Sequence, residues 1–324
     1  MTQNLTPRRL PASSSSIAIF GAANLDITAS SELQVKPGDS TPGRISTTAG
    51  GVARNVAENL ARLGHTSCLI SAVGDDLHGQ FLLEQTRFAG VDVSRCRVWP
   101  GQRSGTYLSI GNLDATLMAA VSDMAVLDLL TPSELARHTA CMAGANAWVV
   151  DCNLSEASFA WLMENQSTAP IYVDGVSSHK CAKALAWLGV MDTLKINRLE
   201  AQALTGMQVE SAGDAISAAQ NLCARGVENV VVSLGNGGVC WHRRSSQSSG
   251  HAPALGVTAV NSNGAGDALM AGLVHGALAG WPLEQSVHFA NACAALTMTA
   301  SSANHPQLSV AHAERFADSL IARH

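Results

Sequence analysis

The chain has 324 residues, with 20 basic against 25 acidic side chains and a formal net charge of −5. No basic cluster interrupts that mild acidity, so nucleic acid and anionic membrane are poor partners for it. No apolar run approaches the roughly 20 residues that span a bilayer. Its eight cysteines, without a C-x-x-C pair, suggest buried, reduced thiols of a cytoplasmic protein rather than a disulfide frame or zinc site.

Residues 1–16, with Arg8-Arg9 and four consecutive serines, read as a flexible tail without the apolar core of a signal peptide. Ile17 to Phe20 then predicts a short buried strand ending at Gly21. Gly51 to Leu63 predicts a helix closed by Gly64, with Val52, Val56, Leu60 and Leu63 at helical spacing. Cys68 to Val73 reads as a second buried strand and Leu77 to Phe88 as a second helix. The Pro- and Gly-rich stretch from Pro37 to Ala49 and the alternating pattern between Arg97 and Met124 predict a small β insertion beside a larger body.

Beyond Thr131 the chain alternates strands and helices. Strands are expected at Ala147 to Val150, Ile171 to Val173, Thr193 to Ile196 and Val230 to Ser233. Helices are expected at Glu156 to Glu164, Leu199 to Leu204 and Ala212 to Ala224. The end is mostly helical, over Gly264 to Ala279, Leu283 to Thr299 and Ala311 to Ala322. Continuously apolar strands between helices mean a parallel sheet covered on both faces. Ligands of such sheets gather at the carboxyl ends of the strands.

The most informative run is Asn261-Ser262-Asn263-Gly264-Ala265-Gly266-Asp267, placed between a β-like segment, Gly256 to Val260, and the apolar helix. Glycines at such a turn let backbone N–H groups converge, and the helix N-terminus adds partial positive charge. An anion site with a carboxylate on the first helical turn suggests phosphoryl transfer to a hydroxyl. A first-turn helix acid is the plainer alternative. Four further signatures follow the same order of strand ends: Asn24-Leu25-Asp26, Gly50 to Ala57, Asn197-Arg198-Leu199-Glu200, and Ser233-Leu234-Gly235 before Gly237-Gly238. The Gly-x-Gly-x-x-Gly of a dinucleotide fold and the Gly-x-x-x-x-Gly-Lys-Ser/Thr of a P-loop are absent.

With these five signatures in one order, the chain resembles the ribokinase-like carbohydrate and nucleoside kinases from about Ile17 to its C-terminus. In Gly21 to Asp26, Gly50 to Leu63, Asp123-Met124 and Asp151 to Ser155 it is most similar to members acting on pseudouridine. The resemblance implies a three-layer α/β/α domain over 17–324, with a mainly parallel central sheet and a small discontinuous β-sheet lid from about 27–48 and 96–123. It implies transfer from ATP to a 5′-hydroxyl, with Asp267 as base and the N–H groups of Gly264, Ala265 and Gly266 as anion hole. Ribose, uridine, inosine and guanosine are competing acceptors, and a sensor protein that binds without catalysis is the rival from another class.

The same resemblance implies a role for each further residue. Asp26 would hold ribose hydroxyls, since a carboxylate accepts from two vicinal OH groups. Gly50 and Gly51 would admit the sugar to the backbone, with Asn55 and Asn153 nearby. Asn24 and Asp123 are candidates for the extra N–H of the pseudouridine base, Met124 for packing on it, and Lys180 for the base or phosphates. Asn197 and Glu200 would organise Mg²⁺ and phosphates, Glu200 through water, although the same spacing is a helix cap. Ser233, Gly235, Gly238, Asn263 and Asn291 would line the nucleotide. Asn261 stands where relatives commonly have an Asp that helps bind a monovalent cation, which leaves K⁺ activation open. Lids expose sheet edges, and pairing two of them predicts a homodimer.

Overall fold

The computed structural model describes residues 15–36, 38–111, 117–166 and 168–321. Residues 1–14 of the expected tail, and the expected element ends at Pro37, Thr116 and Ala322, lie outside the described residues. In chain order the strands are β1 (Ser16–Phe20), β2 (Asn24–Ser30), β3 (Arg44–Gly50), β4 (Thr66–Ile70), β5 (Ala72–Gly74), β6 (Arg97–Trp99) and β7 (Gly105–Gly111). They continue with β8 (Leu117–Asp123), β9 (Ala147–Asp151), β10 (Ile171–Asp174), β11 (Thr193–Asn197), β12 (Asn229–Ser233), β13 (Val239–Arg243) and β14 (Ser248–Ala252). The α-helices are α1 (Val52–Arg62), α2 (Leu77–Phe88), α3 (Pro132–Leu135), α4 (Thr139–Ala143), α5 (Glu156–Glu164), α6 (Arg198–Thr205), α7 (Ala212–Ala224), α8 (Ala265–Leu278), α9 (Leu283–Met298) and α10 (Val310–Ile321).

The main sheet has the order β14-β13-β12-β11-β10-β9-β1-β4. From β4 to β12 neighbours run parallel, and the β13–β14 hairpin extends the β12 edge antiparallel. Alternation along β1 shows why both faces are covered. Ile17 and Ile19 enter a core with Val56 and Leu60 of α1 and Met270 and Val274 of α8. Ala18 and Phe20 enter the opposite core, with Trp148 and with Phe159 and Leu162 of α5. Each such fully buried large side chain contributes about 1.5–3 kcal/mol. The result is the three-layer α/β/α body that the alternation predicts.

The small sheet has the order β3-β2-β7-β8. Its register sets Asp26 opposite Thr48 and Tyr107 on one face. On the other face lie Ile45, 75% exposed, and Val121, 65% exposed. Arg97–Trp99, expected within this sheet, instead pairs with β5 in a separate two-stranded ribbon. The single strand expected over Cys68 to Val73 is broken at Ser71, whose hydroxyl donates to the Gly21 carbonyl (2.7 Å) as the chain leaves the main sheet. No strand forms over Gly256 to Val260: that segment is mostly exposed, and without a sheet neighbour or burial its β-branched residues have nothing to pack against.

Below the sheet, His65 and His275 share a hydrogen bond of 2.9 Å, and His275 lies against Trp281 and Phe289. Burial, with His65 alongside, pushes His275 down to about 4, and burial also lowers His65. The unfolded chain takes up these protons near pH 6.5, well before the folded one, so stability falls as pH drops from about 6.5 to 4. The melting temperature is expected to decline over that window, and less steeply in His275→Phe. Parallel curves for the two proteins would contradict this account.

Candidate active site

Because β9, β10 and β11 are parallel and in register, their carboxyl ends lie side by side. Asp151 pairs with Asp174, and Asp174 with Lys195, so the three side chains form a row facing the α1/α8 layer. Asp151 accepts the N–H groups of Ala22 (2.9 Å), Ala53 (3.0 Å) and Asn153 (2.8 Å), which ties two loops and the first turn of α1 to one carboxylate. Burial raises its pKa against the pull of these donors. Lys195 Nζ donates to Asp174 Oδ2 at 2.9 Å. Burial works against the Lys195 charge, yet Asp174, Glu200 and Asp267 together outweigh it and raise its pKa.

The 261–267 run turns above this row. Asn261 Oδ1 accepts the Asn263 N–H (2.9 Å), while its Nδ2 donates to the Ser301 carbonyl (3.1 Å). Gly264 caps α8 at φ +81, and any Cβ there would overlap the Ala303 carbonyl. Only glycine meets both demands. Ala265 N–H reaches the Ser262 carbonyl only at 3.5 Å. First-turn N–H groups of a helix lack intrahelical partners, so this turn presents donors and a positive dipole end.

Asp267 sits in that first turn, 7% exposed. Its Oδ2 accepts from Asn55 Nδ2 at 2.8 Å. Burial and the Asp174 charge push its pKa up, and Asp151 adds to this, while Lys195 and Asn55 hold it down; the balance is about 7. The Asn55 amide is oriented from behind. Its Oδ1 accepts from Arg54 Nη1 (2.9 Å), which also donates to the Ala49 carbonyl (3.1 Å) and to Asn304 Oδ1 (2.8 Å). Asn304 Nδ2 in turn donates to the Asn55 carbonyl at 2.9 Å. A carboxylate poised near neutrality and fixed in direction is suited to take a proton from a hydroxyl.

On the small sheet, Asn24 Nδ2 donates to Asp26 Oδ1 at 2.6 Å. Burial raises the Asp26 pKa against the effects of Asn24 and Arg54. A Cβ at Gly50 would overlap the Asp26 carboxylate, so a side chain there would displace that carboxylate. Gly51 caps α1. A cavity of about 580 Å³, lined by Asp26, Thr48, Tyr107, Asn261, Ser262 and Asn263 among others, joins this sheet to the 261–267 turn. Met124 Sδ lies 3.1 Å from where a Gly105 Cβ would stand, next to Asn24. Asp123 is exposed, with one oxygen 3.3 Å from the Ala125 N–H, and its register opposite Thr106 puts it on the Val121 face of the small sheet rather than the Asp26 face. Lys180 Nζ donates to Asn153 Oδ1 at 2.6 Å, and both line a second cavity of about 510 Å³.

Asn197 and Glu200 form a capping box at the start of α6. Glu200 Oε2 accepts the Asn197 N–H (2.9 Å), Oε1 contacts Asn197 Nδ2, and Glu200 is buried. Among the described residues no group of three or more His, Cys, Asp or Glu side chains could hold a metal ion. The described residues thus build no metal cage, and Glu200 fits an outer-sphere role better than direct ligation of Mg²⁺, which keeps several waters. Ser233 lies in register with Asn197. Gly238 packs against 252–254, and Asn291 Nδ2 donates to the Pro253 carbonyl of that segment at 2.8 Å. Gly235 opens the short turn between Ser233 and Gly238.

The structure therefore brings Asn55 to Asp267, and Asn24 and Asp26 to Gly50. It links Lys180 to Asn153, and Asn153 to Asp151. Sequence reasoning missed Asp174, Lys195, Arg54 and Asn304. A charged lysine between Leu194 and Ile196 of the buried Thr193–Asn197 strand was the available signal for one of them.

This fold is that of the sugar and nucleoside kinases. Residues 14–309 match the pfkB family carbohydrate kinase model, and the chain belongs to that family. It is 38% identical over 296 residues to a pseudouridine kinase of Escherichia coli strain K12, covering 91% of this chain and 94% of that protein. A carbohydrate kinase from Agrobacterium tumefaciens superposes with a TM-score of 0.78 at 28% identity, over 94% of this chain and 97% of that one. Arabidopsis thaliana ribokinase, solved with ribose and ATP, has a TM-score of 0.81 at 20% identity, over 94% and 99% of the two chains, and shares the ribokinase-like fold.

Were Asp267 to take the acceptor's proton, its folded pKa of about 7 would make kcat/KM rise through an acid limb near pH 7 and then level. Asp267→Asn should lower kcat by roughly 10²–10⁴. Because the folded pKa lies above the ordinary 3.8, the stability linked to this group is full below pH ~4 and is lost as pH rises through ~7. Asp267→Asn should therefore raise the melting temperature at pH 8. A flat pH profile, or turnover within a few-fold of wild type, would remove Asp267 from the role of base.

Proposed function

We propose that this chain transfers the terminal phosphoryl group of ATP to the 5′-hydroxyl of a nucleoside, and that the nucleoside is pseudouridine. One observation carries the reading: a buried carboxylate, Asp267, is fixed by Asn55 at the head of α8, and the turn leading into that helix, Asn261 to Asn263, lines a cavity together with Asp26. In this reading Asp26 accepts from the ribose hydroxyls and the 5′-oxygen points at Asp267. The O5′–phosphorus bond forms as the bond between that phosphorus and the leaving ADP oxygen breaks, and the hydroxyl proton passes to Asp267. The N–H groups of Gly264, Ala265 and Gly266 receive the charge on the transferring group. When Mg²⁺ is bound with ATP it would neutralise phosphate charge, and Asn197 and Glu200 are the residues that would hold it, Glu200 through water.

The similarity to the Escherichia coli pseudouridine kinase over nearly the whole chain supports the choice of acceptor. Pseudouridine carries one more N–H on its base than uridine. A site offering an acceptor gains on it, since an unmatched buried polar group costs about 1–3 kcal/mol. Asn24, on the Asp26 face, is the acceptor proposed, with Met124 against the ring and Lys180 near the base or phosphates; Asp123, on the other face of the sheet, could reach a base only from outside this protomer's Asp26 cavity. Ser233, Gly235, Gly238, Asn263 and Asn291 are proposed for the nucleotide side. We further propose a homodimer through the small sheets, because the face bearing Ile45 and Val121 is apolar and exposed, and β3 and β8 are edge strands.

ATP consumption with pseudouridine, uridine, ribose and inosine tests the acceptor. Pseudouridine should give the highest kcat/KM, and EDTA should abolish turnover. Preference for ribose or another nucleoside would replace the substrate, and no turnover with any of them would favour a binding protein. Asp26→Ala should raise the nucleoside KM far more than the ATP KM; equal effects would argue against a sugar contact. Light scattering should give a dimer for wild type and a monomer for Ile45→Asp. A wild-type monomer would dismiss the pairing.

A further inference from the structure

The floor of the site is crowded with acid. Asp151, Asp174, Glu200 and Asp267 are all buried, and Asp174, Glu200 and Asp267 surround the charge of Lys195, itself 6% exposed. The register of β9, β10 and β11 forces this grouping, because Asp151, Asp174 and Lys195 occupy one row. Lys195 Nζ is anchored on Asp174 Oδ2 at 2.9 Å, and it stands 2.9 Å from where a Cβ on Gly266 would lie. The ammonium thus lies directly under the turn at the head of α8, and a side chain at 266 would press on it. Adding the phosphates of a nucleotide to four carboxylates without a fixed cation would be strongly unfavourable in a site of low dielectric.

We propose that Lys195 is the positioning cation of this site: held by Asp174 beneath the Gly266 turn, it neutralises the acid cluster and keeps the Asp267 carboxylate charged when the phosphoryl group arrives. The inference rests on the phosphoryl-transfer reading, but it concerns the protein's own electrostatics. The groups that face Asp267 are Asp151, Asp174 and Lys195 from the sheet and Asn55 from α1, with the Arg54–Glu58 pair behind Asn55. Glu200 of α6 acts on Lys195. The other helix packed on α8, α9, brings buried polar residues without charge, Ser286, Asn291 and Thr297. Of the charges acting on Asp267, Lys195 is the cation that favours its ionised form.

The role separates from a merely structural one by pH. Lys195→Met leaves Asp174 buried and uncompensated, a change that itself threatens folding, so the comparison is made in an Asp174→Asn background. Relative to D174N, the double variant D174N/K195M should show the acid limb of kcat/KM moved up by about one pH unit or more. Its loss of kcat/KM at pH 6.5 should exceed that at pH 9 by roughly tenfold. Superimposed limbs, or an equal loss at every pH, would overturn the inference.

A second readout does not need turnover. In each background, Asp267→Asn is added and the gain in melting temperature is followed against pH. Without Lys195 this gain should reach its plateau at a pH higher by about one unit. Coincident curves would overturn the Lys195 role on their own. Failure of every acceptor with wild type would instead remove the kinase reading and leave this electrostatic result standing or falling separately.

Discussion

A single hydrogen bond, from Asn55 Nδ2 to the buried Asp267 carboxylate, ties the two helices that begin at the mouth of the sheet. Everything around it can be understood as the means of holding an acid where an acid is costly. Burial and neighbouring aspartates oppose its charge; the amide, the lysine below and the helix start favour it. The opposing effects leave the group near neutrality rather than far to either side. An ordinary surface aspartate would be a far weaker base.

That arrangement needs the whole fold. Parallel strands bring the ends of β9, β10 and β11 together, and their register decides which side chains share the α1/α8 face. Asp151, although it makes no contact with the cavity that Asp26 lines, receives N–H groups from three separate segments. It aligns the Gly21 loop, the start of α1 and the loop after β9. Arg54 does similar work at the far side, holding the 49–55 segment to Asn304 and setting the direction of the Asn55 amide.

Much of this was legible in the sequence where the signal is local. The apolar run Ile17 to Phe20, the helix from Gly51 and the Gly-Ala-Gly-Asp turn each carry their own period or turn chemistry. The capping box of Asn197 and Glu200 was equally readable, and it exists alongside any nucleotide role. What escaped was the product of register. Asp174 and Lys195 lie in different strands, and nothing within either strand says that they will meet. Arg54 and Asn304, 250 positions apart, pair only through the tertiary fold. The error at Gly256 to Val260 has the opposite cause: local β preference was present, but no neighbouring strand was available to use it.

The central claim is that one buried carboxyl group titrates near neutrality and acts as the base. Carbon-13 NMR of aspartate-labelled protein, followed from pH 4 to 9, observes this directly. One side-chain carboxyl resonance should titrate with a midpoint of about 7 and vanish from the spectrum of the Asp267→Asn variant. If every aspartate carboxyl resonance has already titrated below pH 5, or the neutral-range resonance persists in that variant, the account of this site is wrong.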